Sequence, residues 1–303
     1  MIIKKFKQWI NKKINFRINF LIKRFEYICR AESLHNYAMN CSEKGVSDEK
    51  YIDKNIIVSL TTYGKRLYDV YLSIESIMRQ TMKPNRIILW LGDEFKNADI
   101  PITLKKQQER GLEIRYCKDL LSYKKLIPAL VAFPSDVIIT IDDDVLYFFD
   151  LTENLVNAYK KNPELIHCAR MHRIKMINSK TPDKYENWTR NYDDSDVSPL
   201  NFPVGGGGIL YPPRCFPDEV FNEKVFTDIC KYADDVWFKA MALLNGVMSK
   251  KVFTHNKGGE DYLTNANVQD DSLSRINCGQ SMNDTQIKAV FEKYNLFELL
   301  SKK

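Results

Sequence analysis

Between residues 55 and 141 the chain alternates short apolar runs with stretches of helical period. Residues 55–60, 86–91, 112–117 and 137–141 are rich in Ile, Leu and Val and read as buried strands. Leu67, Val70, Ile74, Ile77 and Met78 recur every three or four residues and predict a helix over 66–80. Pro84 and Asn85 break the chain, and Gly92 ends the second strand. Residues 103–110 read as a helix, and 123–133 as a partly helical segment around Pro128. Strand–helix alternation at this spacing predicts a mostly parallel sheet with helices on both faces, an α/β, Rossmann-like architecture. Ligands of such sheets bind beyond the carboxyl ends of the strands. The loops 61–66 and 142–144 should meet there.

The second half is less regular. Residues 151–165 read as a helix and 165–170 as a strand, and the polar stretch 175–202 as a loop insertion. The run "FPVGGGGILYPP" follows at 202–213. Residues 233–246 predict a helix, with Asp at its start and Gly246 at its end. Residues 250–259 read as a strand entering a loop, and 283–300 as a last amphipathic helix. Before all this, Ile3, Phe6, Ile10, Ile14, Ile18, Leu21, Phe25 and Ile28 recur at spacings of three and four, which places them on one helical face. The organisation expected is an arm over 1–30, a connector over 31–54 and one domain over 55–303, with divisions at 55–150, 151–260 and a helical tail over 261–303.

Charge changes the picture of the arm. The formal net charge is +6, yet residues 1–30 hold nine Lys or Arg and one acid, Glu26, so the remainder is slightly acidic. A body that grips nucleic acid is excluded on that ground. A helix with an apolar stripe and a basic remainder suits an anionic membrane surface or packing on protein. No apolar run reaches the length of a membrane span, and the N-terminus lacks the pattern of a secretory signal. The seven cysteines, at 29, 41, 117, 168, 215, 230 and 278, form no CxxC pair and suit a reducing compartment. The expected place of work is cytoplasmic, peripheral at a membrane surface.

The densest candidate chemistry follows the fourth strand. Asp142, Asp143 and Asp144 come straight after five apolar residues. Alternate residues of an extended segment point the same way, so Asp142 and Asp144 would face the strand mouth together. Two carboxylates sharing a small volume suit Mg2+ or Mn2+, which takes one or two protein carboxylates and completes its shell with water and phosphate. A diphosphate is the natural further ligand. In the first loop Thr61 and Thr62 offer hydroxyls, Tyr63 a stacking ring, and Arg66 a planar cation able to fork onto phosphate. Lys124 and Lys125 lie shortly before the acidic strand. Gly205 to Gly208 lack the pattern of a P-loop but permit close backbone approach. Asp234 and Asp235 open a helix, where the dipole favours ionised carboxylates. His255 follows a strand-like run, and no Ser/His/Asp or Cys/His arrangement stands out.

In order, "IIVSLTTYGKR", "SIMRQTMKPNRIILWL", "YKKLIPAL", "IITIDDDV", "GGGGILYPP" and "ADDVWFKAMAL" make the chain resemble the GT-A-fold glycosyltransferases. The likeness is to bacterial family-2-like enzymes of capsule or lipopolysaccharide synthesis and covers roughly residues 55–260; it implies that 55–303 is a catalytic domain with a nucleotide-binding half at 55–150 and an acceptor and catalytic half at 151–260, working at the inner face of a bacterial plasma membrane. It implies metal-dependent transfer of a sugar from a nucleotide-sugar, UDP-linked by family prior, to a hydroxyl of a glycan or lipid-linked glycan. Carried over, Asp142 and Asp144 are the ends of the DxD metal motif, and His255 would complete the metal shell. Thr61, Thr62, Tyr63, Arg66, Lys124, Lys125, Asp143, Gly206 and Gly207 would hold the donor. Inverting relatives place the general base where Asp235 stands. The family pattern there is often Glu-Asp, and here it is Asp-Asp, which leaves Asp234 in reserve. Two other functions share the acid cluster or fold: a nucleotidyltransferase or metal phosphohydrolase, and a non-catalytic carbohydrate-binding scaffold.

Overall fold

The computed structural model describes residues 2–178, 180–256, 262–265 and 282–301, with backbone alone for 2–12 and 16. The side chains of Ile3, Phe6 and Ile10, Cys278, and the loop expected over 257–259 therefore lie outside the described residues.

The four apolar runs are strands, β1 (Ile56–Thr61), β2 (Arg86–Gly92), β3 (Leu112–Cys117) and β4 (Val137–Thr140). Their order is β4-β1-β2-β3 with every neighbour parallel. Because side chains alternate along a strand, each run supplies both faces of the sheet. Ile57, Ile88 and Ile138 enter one apolar cluster. Ile56, Val58, Leu60, Ile87, Leu89, Val137 and Ile139 enter another on the opposite face. The second cluster is capped by α2 (Val70–Met78) and α3 (Ile102–Glu109), through Ile74, Ile77 and Leu104. The helix expected over 66–80 is split: Gly64–Tyr68 is a 3-10 turn and α2 begins at Val70. That break sends the side chain of Arg66 into the protein.

Three more strands complete a seven-stranded sheet: β6 (Ile166–Cys168), β11 (Ile209–Tyr211) and β12 (Ser249–Lys251), in the order β12-β6-β11-β4. β11 runs antiparallel to both neighbours, while β12 is parallel to β6. The first cluster is closed by α7 (Asp234–Leu244) and the last helix (Met282–Lys293), through Trp237, Met241, Val290 and Phe291. The architecture is thus α/β, a mostly parallel sheet flanked by helices and preceded by a long helix.

Two segments differ from expectation. The first helix, α1 (Ile2–Asn40), continues ten residues into the stretch read as a polar connector. It does so because Leu34 and Ala38 bury against the domain. The polar stretch 175–202 is no mere surface loop, since Trp188 and Phe202 are buried with ring centroids 5.3 Å apart. The Trp188 indole N–H donates to the Asp183 carbonyl, so the segment satisfies its own polar groups while it adds to the core.

Candidate active site

The carboxyl ends of β1 and β4 open into a cleft of about 620 Å3, within the size range of small-molecule sites. Thr61, Thr62, Tyr63, Arg66, Lys124, Lys125, Asp142, Asp143, Asp144, Gly206, Asp234 and Asp235 all line it. Segments more than 170 residues apart in sequence therefore converge on one volume, as the sheet topology requires.

At the end of β4 the chain turns at Asp143–Asp144 instead of staying extended. The three carboxylates consequently point to different partners. Asp143 is buried: the Thr62 hydroxyl donates to it at 2.7 Å, and Arg66 Nη1 donates at 2.7 Å. Burial raises the Asp143 carboxyl above its usual range, with Arg66 and Thr62 opposing that shift. Arg66 Nη1 also lies 3.3 Å from Asp144 Oδ2. Asp142 stays half-exposed, and Lys125 Nζ donates to its Oδ1 at 3.0 Å. The backbone N–H of Asp142 donates to the Tyr147 hydroxyl at 2.9 Å, which fixes the turn.

Lys125 reaches this place because Ser59 of β1 donates its hydroxyl to the Lys125 carbonyl at 2.6 Å. The Trp90 indole N–H of β2 donates in turn to Ser59. The same Nζ lies 3.0 Å from Asp234 Oδ2. One ammonium therefore bridges the strand-end acids and the acids of α7. Burial alone would lower the Lys125 amine, but Asp142, Asp234 and Asp235 outweigh it and hold it well above its usual value. Lys124 is buried too, in a 2.6 Å pair with Asp119. Neither lysine is the solvated surface cation that adjacent lysines usually are.

Asp235 is half-buried and accepts the Gly205 backbone N–H at 3.1 Å. Its Oδ1 has no hydrogen-bond partner among the described residues. Burial, and then the adjacent Asp234 charge, raise it to about 7 against the pull of Lys125 and Gly205. Asp235 is thus a carboxyl poised near neutral pH at the cleft wall, as suits a general base. A Cβ at Gly205 would stand 2.8 Å from Lys125 Nζ and 3.0 Å from Asp235 Oδ1, so a side chain there would break into the charge network.

The Thr61 hydroxyl donates to the Trp90 carbonyl at 2.8 Å, and Thr62 and Arg66 pair with Asp143, while all three line the cleft. Gly207 does not line the cleft: a Cβ there would lie 2.2 Å from Arg170 Cβ, so this glycine serves close packing. His255 is exposed outside the cleft, its ring 4.9 Å from Phe148 and its backbone N–H donating to Asp150. Its place among metal ligands is not supported by this geometry.

The cleft also gathers residues that local sequence did not mark: Asp119, Arg170, Arg190 and Tyr232, with Asn283 from the last helix. His172 lines it as well. Burial lowers His172 to about 4, with Arg170 and Arg190 adding to the effect, so its ring is neutral at pH 7.

No three His, Cys, Asp or Glu side chains form a ready metal cage among the described residues. What the turn offers is Asp142 and Asp144, a donor set that fits a cation completing its shell with phosphate and water. Lys125 and Arg66 already pair with these carboxylates, so a cation would share or displace those contacts.

No family model and no curated protein matches the sequence. Among solved structures, S. aureus TarS 1-349 is similar with a TM-score of 0.44 and 15% identity, over 67% of this chain and 59% of that chain. The same protein in complex with UDP gives a TM-score of 0.43 and 16% identity, over 67% and 59%. The mannosyltransferase PcManGT from Pyrobaculum calidifontis, in complex with GDP-Man and Mn2+, gives 0.43 and 12%, over 79% of this chain and 68% of that chain. The chain thus spans 59% of the TarS structure it matches. Likeness at this level lends this chain no residue role, substrate or cofactor.

Proposed function

We propose that the protein transfers a sugar from a nucleotide-sugar to a hydroxyl of a glycan or lipid-linked glycan in cell-surface polysaccharide synthesis. The observation that carries this reading is the single Lys125 ammonium, 3.0 Å from both Asp142 and Asp234. It joins an acid cluster suited to a diphosphate-bound cation to a carboxyl pair suited to acid–base work, within one cleft.

In the reaction the acceptor oxygen attacks the anomeric carbon while the bond from that carbon to the diphosphate oxygen breaks. Asp235 takes the acceptor proton through Oδ1, the oxygen with no hydrogen-bond partner among the described residues. The Gly205 N–H on Oδ2 fixes the direction of the carboxylate. Lys125 holds positive charge beside both acids as negative charge moves onto the leaving nucleoside diphosphate. Mg2+ or Mn2+ at Asp142 and Asp144 would supply Lewis-acid neutralisation of that diphosphate. A single displacement of this kind inverts the anomeric carbon.

A screen of nucleotide-sugars by thermal shift, with and without manganese, identifies the donor, because a ligand that prefers the folded state raises its melting temperature. The matching product is a nucleoside diphosphate. Release of free diphosphate or phosphate instead would point to nucleotidyl transfer or phosphohydrolysis. A protein that stabilises with glycans and with no nucleotide-sugar would be a binding scaffold.

A further inference from the structure

The rear of α1 docks on the domain through Tyr27, Ala31, Leu34 and Ala38, at spacings of four, three and four. Ile14, Ile18, Leu21, Phe25 and Ile28 recur with a similar period, but at about 100° per residue their stripe is centred about 130° around the helix from the docking face. It is exposed: Leu21 is 62% and Phe25 68% accessible. The stripe therefore does not hold the helix to its own domain. Lys13, Arg17 and Arg24 border it on one side, and between residues 13 and 28 the one acid is Glu26. A second copy of the chain would bring the same positive charge against this face, which disfavours self-association.

The docking face also meets the cleft. Leu34 packs with Leu146 and Leu263, beside Val145 and Thr264 of the cleft lining. Arg30 donates to the Tyr147 carbonyl and stacks 4.3 Å from the Phe148 ring. Among the described residues no helix is long and apolar enough to cross a membrane.

We infer that α1 lies on an anionic lipid bilayer through Ile14, Ile18, Leu21, Phe25 and Ile28, with its basic border at the headgroups. Its rear half ties the rim of the cleft to that surface. Apolar burial and charge attraction act together in such a helix, and the long basic side chains extend toward the phosphates. A membrane-borne acceptor then meets the cleft without diffusing through solvent. The inference stands without any assumption about sugar transfer.

Flotation of the full chain with vesicles of phosphatidylglycerol and phosphatidylcholine tests it, in the absence of donor and acceptor. The full chain should float with these vesicles and far less with phosphatidylcholine alone, and added salt should weaken binding. The triple substitution Ile18→Asp, Leu21→Asp and Phe25→Asp should cut binding at least about tenfold. Its melting temperature should not change, since those side chains touch no core. Arg17→Glu with Arg24→Glu should abolish the preference for anionic vesicles. Failure of the full chain to float would overturn the inference. So would equal flotation of the triple variant, or a solution dimer that the triple substitution dissociates.

Discussion

Asp143 and Asp235 line the same cleft, yet their oxygens meet different surroundings. Both Asp143 oxygens are occupied, one by the Thr62 hydroxyl and one by Arg66. Asp235 has one oxygen on a backbone N–H and one with no hydrogen-bond partner among the described residues, and burial raises its carboxyl to about 7. A compensated carboxylate is a structural part, fixed in place and costly to remove. A partly compensated one can gain and lose a proton in the working range. Lys125 stands between the two kinds, since it contacts Asp142 and Asp234 and acts on Asp235 through space.

Substitutions separate these roles. The largest effect is expected from Asp235→Asn, which keeps the shape and removes the base. Turnover should fall by about 10²–10⁴-fold while donor binding stays, read as nucleoside diphosphate release beside calorimetric binding. Full activity in this variant would remove Asp235 from the chemistry. Asp143→Ala should act on stability instead. It takes from the buried Arg66 the closer of its two carboxylate partners, at a cost of about 3–5 kcal/mol in a denaturant titration. A loss below about 1 kcal/mol would mean that Asp143 is as lightly held as a surface acid.

Smaller effects appear in pH dependence. A base must be deprotonated to act, so activity should rise with pH through about 7. Lys125→Met removes the charge that pulls Asp235 down and should move that rise upward by about one unit. A lower or unmoved midpoint would break the proposed coupling. Stability runs the other way. The folded Asp235 carboxyl binds its proton more tightly than the unfolded one, so its contribution is complete below the ordinary carboxylate range. That contribution is lost as pH rises through about 7. Asp235→Asn should therefore melt above the unsubstituted protein at pH 8, with the gap closing toward pH 5.

The strands were legible because the near-continuous apolar runs at 55–60, 86–91 and 137–141 supply both buried faces of one sheet. The antiparallel direction of β11 was not, since three residues after a glycine run carry no signal of direction. Among the site residues, the acids declared themselves through their cost: charge beside a buried strand must meet a partner. Their partners did not. Arg66 is assigned to phosphate by its chemistry alone, but the 3-10 turn at Gly64–Tyr68 aims it at Asp143. Lys124 pairs with Asp119 through a loop whose shape only the folded chain defines. Arg170 and Arg190 reach the cleft from β-rich and irregular segments with no local motif.

The central claim is that the turn Asp142–Asp144 receives the diphosphate of the donor together with a divalent cation, facing Asp235 across the cleft. A crystal of the protein with Mn2+ and its nucleotide-sugar, with the manganese located by anomalous scattering, tests this most directly. The account predicts a peak bonded to Asp142 or Asp144 and to diphosphate oxygens, with the anomeric carbon turned toward Asp235. Manganese bound elsewhere, or a diphosphate held by Arg170 and Arg190 away from the turn, would contradict it.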